Sequence, residues 1–270
     1  MASDMTGSAK DRFRPIRMIG TGGAANVWLV KDLERGDQAA LKVAHAGTTE
    51  RPDLIERFER EAELLDVLDH PSVLALRARS PSGKEDRPWM AVEYMARGSL
   101  ADILLREDPP EPVQVVEWTL QLLDALSYLH SMSIVHRDIK PDNLLIDADG
   151  CAVLADLGIA RLPGSNRTAI GSVFGTPAFM SPEQLEDASK VGASTDVYAA
   201  GVVLFNAVSR SSGMQLLLLE KRKKALNKLP PALRGVVDRA TRHKLPERYP
   251  TADDMAADLA DVLDELSYQP

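Results

Sequence analysis

The sequence predicts an α+β fold in two lobes: a small β-rich N-terminal lobe with one helix (residues 12–95) and a larger, mainly helical C-terminal lobe (residues 96–268). Three observations carry this expectation. Short apolar runs with strand character fill most of the first third. The character of the chain changes after E-Y-M-A-R-G-S, Glu93 to Ser99. From Ser194 onward apolar residues recur at helical spacing.

The elements follow in order. R-F-R-P-I-R-M-I-G and N-V-W-L-V-K-D read as strands around a glycine-rich turn, and Q-A-A-L-K-V-A is a third strand. A helix comes next, with Asp53 as its expected cap and Ile55, Phe58, Ala62, Leu65 and Leu68 on one face before Pro71. S-V-L-A-L-R-A-R and R-P-W-M-A-V-E-Y-M give two more strands joined by a Pro-Ser-Gly turn, and a linker is expected near Met95 to Gly98. Ser99 caps a short helix. Pro112 opens a long one, where its missing N–H is harmless, with Val113, Val116, Leu120, Leu123 and Leu126 as the buried stripe. Ile134-Val135 and Leu144 to Ile146 read as short buried strands, with a turn at Asp147 to Gly150. Helical stretches follow at 195–208, 214–229, 231–243 and 251–266. A ligand is expected in a cleft between the lobes.

Composition narrows the function classes. Hydrophobic residues make up 44% of the 270, enough for a sizeable core. The formal net charge of −8 argues against general nucleic-acid binding, which needs a positive surface. Cys151 is the sole cysteine, so no internal disulfide and no zinc-type cluster is expected, and a cytoplasmic setting fits. No apolar run reaches the ~18 residues of a membrane span, so no membrane segment is expected in this chain.

I-V-H-R-D-I-K-P-D-N-L-L-I, Ile134 to Ile146, crowds charged and amide groups between two apolar dipeptides. Charges held beside buried strands need partners, and a metal ion and a phosphate are the natural ones; the bland alternative is a salt-bridged surface turn. Gly20, Thr21, Gly22 and Gly23 open G-T-G-G-A-A-N-V between two strands. Glycines there let backbone N–H groups approach phosphate oxygens, although an ordinary hairpin reads the same way. No helix follows, which argues against a dinucleotide-binding fold or a Walker-type loop. Lys42 alternates with Leu41 and Val43 in its strand. It is either an edge lysine reaching solvent or a cation held under the glycine loop, on phosphate oxygens. The second role needs an orienting carboxylate. Glu61, bordering the apolar stripe of the following helix, is chosen over Glu59 and Glu63.

Taken together, the ordered set G-T-G-G-A-A-N-V, A-L-K, H-R-D-I-K-P-D-N, D-L-G, G-T-P-A-F-M-S-P-E, D-V-Y-A-A-G and the late Arg248 resembles the protein kinase family, serine/threonine type and bacterial in style, from about Phe13 to about Leu266. The resemblance implies a two-lobed protein-kinase-like fold and ATP-dependent transfer of the γ-phosphoryl group to serine or threonine hydroxyls of a protein substrate. It implies Asp138 as catalytic base, Lys140 on the γ-phosphoryl charge, Lys42 with Glu61 on the other phosphates, and Asn143 and Asp156 as ligands of Mg²⁺, or Mn²⁺ in its place. It further implies Val27 and Ala40 against the adenine ring, and Glu93 and Met95 at the linker, where main-chain groups meet the adenine edge. Val92 is the implied gatekeeper and His136 a structural residue under Leu157. Glu183 and Arg248 form the implied buried ion pair, and Asp196 the holder of the catalytic loop. Arg137 implies a phosphate on the activation segment, with Thr168 the first choice of acceptor and Ser172 the second, while Thr176 is expected at Asp138 and Lys140.

Departures are mild at the motifs: Ala25 for the third glycine, Leu157 in D-L-G, and Ser181 before Pro182. None removes a charge, which favours an active enzyme over a nucleotide-holding pseudokinase. The activation segment and the Glu183/Arg248 pair favour a protein kinase over a small-molecule kinase. A larger departure is the short stretch after Phe205, which bears on protein substrate docking. Its basic run, Lys221 to Lys224, reads as a solvated helix face in preference to a docking patch for acidic partners.

Overall fold

The computed structural model describes residues 9–46, 52–83, 87–157 and 177–267. The chain divides into two compact units, Met1–Ala96 and Arg97–Pro270. The first is a sheet with two helices and the second is mainly helical, as the α+β expectation requires.

In the first unit a short helix α1 (Ala9–Arg12) leads into β1 (Phe13–Thr21), β2 (Ala25–Asp32) and β3 (Gln38–Ala44). Helix α2 (Pro52–Leu65) precedes β4 (Leu76–Arg79) and β5 (Trp89–Glu93). The sheet runs in the order β1-β2-β3-β5-β4, every neighbouring pair antiparallel. Directly opposed residues of an antiparallel pair share a face. The pairs Val27 with Lys42, Leu29 with Ala40, Ala40 with Val92 and Lys42 with Met90 therefore lie on one face. The other face is closed. Phe13, Trp28, Val30, Leu41, Val43, Trp89 and Ala91 form a buried cluster with Ala9 of α1, and the Phe13 and Trp89 rings meet edge-on at 5.7 Å. Arg12 at the end of α1 donates to both oxygens of the fully buried Asp32, 3.1 and 2.9 Å. That contact holds the Asp32 carboxyl below its usual range and closes the far end of the β1–β2 hairpin. The sequence pattern predicts strand from Arg12 and no helix before it, so α1 is a departure.

The second unit begins with β6 (Gly98–Ser99) and α3 (Leu100–Leu104). Ser99 caps α3 in a full capping box with Asp102, as its position before the apolar run predicts. The long α4 (Pro112–Ser131) begins at Pro112 and packs against α6 (Ala193–Ser209) and α10 (Ala252–Ser267). Val116, Leu123 and Leu126 are buried; Val113 and Leu120 are half-buried, and the core extends to Val115, Trp118, Leu122 and Leu129. Strands β7 (Leu144–Ile146) and β8 (Ala152–Leu154) complete a small sheet in the order β6-β7-β8. The turn between them uses Gly150 at φ +93° and the Asp147 carboxylate, which accepts the Cys151 N–H at 2.8 Å. Beyond α5 (Pro182–Glu186) and α6 come α7 (Met214–Leu217), α8 (Leu219–Leu226) and α9 (Pro231–Ala240). Gly201 of α6 lets α9 approach: a Cβ there would lie 2.7 Å from Cβ of Ala240.

Several local expectations are corrected. Ile134-Val135 is not a strand. Ser133 takes φ +61°, its N–H bonds the His130 carbonyl, and the Ile134 N–H bonds the Leu129 carbonyl, both at 2.9 Å. That is a Schellman stop of α4, and it commits this backbone to the helix end. Asp53 lies inside the first turn of α2, which starts at Pro52. The stretch 214–229 is two helices broken at Leu218, whose ψ of 105° is extended. The run Lys221 to Lys224 is not uniformly solvated. Arg222 turns inward and binds the Asp238 carboxylate (3.0 Å), the Leu216 and Thr241 carbonyls and the Thr241 hydroxyl.

Candidate active site

Each unit contributes one cluster of the residues singled out above. In the first unit, the turn between β1 and β2 is held by hydrogen bonds. The Gly22 N–H reaches the Ala25 carbonyl at 2.9 Å, and Thr21 Oγ1 donates to Asn26 Oδ1 at 2.8 Å. Gly20 opposes Val27 across the hairpin. Lys42 leaves β3 on the face shared with Val27, Ala40 and Val92, opposite the closed apolar cluster. Its Nζ is 2.9 Å from both Oε1 and Oε2 of Glu61 and 6.0 Å from the centre of the Phe58 ring. Helical spacing places Glu61 there: Phe58, Ala62 and Leu65 are buried, so Glu61 sits at the edge of the apolar stripe of α2. Both side chains keep partial exposure, 26% and 18%. The lysine is therefore neither an edge residue in open solvent nor sealed away, and it remains able to meet an anion. Glu93 is half-buried at the end of β5, and Met95 beyond it is buried.

In the second unit the loop from His136 to Asn143 is built on a buried carboxylate. Asp196, near the start of α6, has no solvent exposure and accepts the N–H groups of His136 (2.9 Å) and Arg137 (2.7 Å). Its Oδ2 also lies 2.9 Å from His130 Nε2. A carboxylate out of water needs such donors, and here two of them are the backbone of the loop it holds. Arg137 sits at φ +68°, its carbonyl receiving the Gln184 side-chain amide at 2.8 Å. His136 is fully buried. Its Nδ1 accepts the Asp138 N–H at 3.3 Å, so Nε2 carries the proton and donates to the Ala155 carbonyl at 3.1 Å.

This backbone presents Asp138 to a compact polar group. Lys140 Nζ donates to Asp138 Oδ2 at 2.8 Å, and the Asn143 amide donates to the Asp138 carbonyl at 2.8 Å and to Oδ2 at 3.3 Å. The Ala155 N–H bonds the Asn143 carbonyl at 2.9 Å, which brings Asp156, exposed and at φ +58°, next to Asn143. A non-glycine residue in that region is strained, and such strain is typical of functional positions. Asn143 and Asp156 offer hard oxygen ligands from adjacent segments. Two protein ligands suit Mg²⁺, which keeps its other positions for water and phosphate. Beside Asp138 and Lys140 a small hollow is bordered by Arg137, Phe179, Met180 and Gln184.

Glu183 and Arg248 form a buried pair in the same unit. Both terminal guanidinium nitrogens of Arg248 bond the Glu183 oxygens at 2.8 Å, and Thr195 Oγ1 adds a third bond to the carboxylate. Burial alone pushes the Glu183 carboxyl up, but the Arg248 and Thr195 bonds outweigh it and hold it below its ordinary range.

The structure thus brings Lys42 to Glu61 in one unit, and in the other Asp138 to Lys140 and Asn143, with Asp156 following the Ala155 that bonds Asn143. Thr168, Ser172 and Thr176 lie outside the described residues. Sequence reading missed His130 and Gln184, which support the loop through Asp196 and the Arg137 carbonyl. Gln184 carries the local signal of an S-x-x-Q capping box with Ser181, but neither residue signals its support of the loop, because those partners lie 66 and 47 positions away.

The family model for the protein kinase domain matches residues 13–267. The serine/threonine-protein kinase PknB of Mycobacterium tuberculosis is 32% identical over 93% of this chain and 43% of its own length. The serine/threonine-protein kinase PrkC of Bacillus subtilis is 30% identical over 94% of this chain and 41% of its own. The serine/threonine-protein kinase pkn2 of Myxococcus xanthus is 36% identical over 73% of this chain and 24% of its own. The chain spans less than half the length of these relatives. Among the described residues, no helix is long and apolar enough to cross a membrane.

Proposed function

On the premise that this chain belongs to the protein kinase family, we propose that it transfers the γ-phosphoryl group of ATP to serine or threonine hydroxyls of protein substrates. One observation carries the reading: the Asp138 carboxylate is fixed between the Lys140 ammonium and the Asn143 amide, on a loop anchored to Asp196. Phosphoryl transfer demands positioning and charge neutralisation more than covalent chemistry, and this cluster supplies both.

In this reading Asp138 orients the substrate hydroxyl and takes its proton. Lys140, 2.8 Å from it, balances charge as the phosphoryl group moves. Lys42, steadied by both oxygens of Glu61, holds the other phosphates, and backbone N–H groups of Gly20 to Gly23 cover them. Val27 and Ala40 share the Lys42 face and would take the adenine ring, while Glu93 and Met95 would offer main-chain groups to its edge. Mg²⁺, or Mn²⁺ in its place, bound by Asn143 and Asp156, would neutralise the phosphate oxygens. A cytoplasmic setting fits the exposed free thiol of Cys151.

A radiolabelled-ATP assay on the purified chain, with and without a generic protein substrate and with EDTA as control, tests the proposal. Label on serine or threonine that disappears with EDTA supports it. Binding of nucleotide without any transfer would support a pseudokinase instead.

A further inference from the structure

His45 lies three residues beyond Lys42, just past the end of β3, and no motif of the site includes it. It holds the glycine-rich turn at two points. Its backbone N–H donates to the Ala24 carbonyl at 2.9 Å, and its ring Nε2 lies 2.8 Å from the Gly22 carbonyl. A carbonyl only accepts, so Nε2 carries the proton in this contact.

Packing does little to orient this turn. A Cβ placed on Gly23 would meet nothing within 4 Å, and one on Gly22 would meet only the Ala25 carbonyl, at 3.7 Å. Glycine peptides with so much room rotate readily. The Gly22–Gly23 peptide is trans, so its N–H points opposite to its carbonyl. Fixing the carbonyl on His45 therefore fixes the direction of the Gly23 N–H. It also keeps the Gly22 oxygen, a partial negative charge, from turning toward an anion.

From this geometry we propose that His45 is a positioning residue of the nucleotide flap, which presets the Gly22–Gly23 peptide with its N–H available to phosphate oxygens. The proposal rests on the reading of the turn as a phosphate cover. It requires the donor N–H and not the imidazole as such, so glutamine, which also offers a side-chain N–H, substitutes for it.

The experiment compares wild type, His45→Ala and His45→Gln by titration with a non-hydrolysable ATP analogue and Mg²⁺, and by hydrogen exchange of residues 21–25 without ligand. One net hydrogen bond corresponds to a Kd about three- to ten-fold weaker in His45→Ala, with faster exchange in the turn, and His45→Gln within about two-fold of wild type. Equal Kd and equal exchange in wild type and His45→Ala overturn the proposal, as does a His45→Gln chain as weak as His45→Ala. In either case nucleotide still binds and the kinase reading stands. If wild type binds no analogue, that reading falls and the flap role falls with it.

Discussion

Arg248 and Glu183, 65 positions apart, meet in a two-pronged ion pair with both contacts at 2.8 Å and almost no access to water. The pair joins the turn before α10 to the first turn of α5. Arg248 also donates to the Arg242 and His243 carbonyls and lies over the Tyr198 ring at 4.8 Å. Removing one partner strands a buried charge, so Arg248→Ala should lower stability by about 3–5 kcal/mol in urea denaturation. The pH dependence follows from the lowered Glu183 value. Its contribution is fully present above the ordinary glutamate value of 4.5 and is lost as pH falls through the lower native one. The acid limb of the stability curve should therefore flatten in Glu183→Gln, and an unchanged limb would assign it to other carboxylates.

Gly213→Ala should destabilise the second unit through crowding. An added Cβ would collide with the Ala178 carbonyl and a Val202 methyl, one backbone and one buried side chain. The backbone has to shift, at a cost of about 1–3 kcal/mol read from the urea midpoint. A wild-type midpoint would mean that residues 177–179 yield freely.

Legibility in the sequence followed the range of the interactions. Lys42 and Asp138 stand out because their chemistry is written in short motifs with apolar flanks, and Glu61 because helix periodicity assigns it a face. The capping box at Ser99 and the proline start at Pro112 are local rules, and both were readable. Arg222 was not. A basic run looks solvated until Asp238 and Thr241, 16 and 19 positions on, are folded against it. Ile134-Val135 read as strand from composition alone, while the real determinant was Ser133 turning left-handed to end α4. His45 was invisible for a further reason: its side-chain partner is a main-chain carbonyl, which has no residue signature.

Lys42→Met should abolish phosphotransfer while the fold survives. Methionine fills much the same apolar volume along the stem and loses only the ammonium between Glu61 and the phosphates. Near-wild-type circular dichroism with turnover reduced by about 100-fold or more is the expected pair of readings. Retained turnover would mean that another cation serves the phosphates.

Regulation should leave a covalent trace. Arg137 adjoins Asp138 on a loop clamped by Asp196 and Gln184, so charge delivered near it bears on the whole cluster. We expect the active purified chain to carry phosphate on Thr168 or Ser172, and the Asp138→Asn chain to carry none. Charge-assisted bonds to such a phosphate correspond to a roughly five- to hundred-fold loss of activity on phosphatase treatment. Mass spectrometry of both chains, with assays before and after phosphatase, checks this. Full activity without phosphate would remove the regulatory idea and leave the catalytic one.

The central claim is that Asp138 performs the proton transfer of a phosphotransferase. Its most direct test is a single-turnover assay of Asp138→Asn beside wild type, at saturating ATP and Mg²⁺, with nucleotide affinity measured on the same samples. Asparagine keeps the shape and loses the base, so transfer should fall by about 10²–10⁴-fold with affinity for ATP nearly unchanged. Transfer at a comparable rate in the variant would contradict the account.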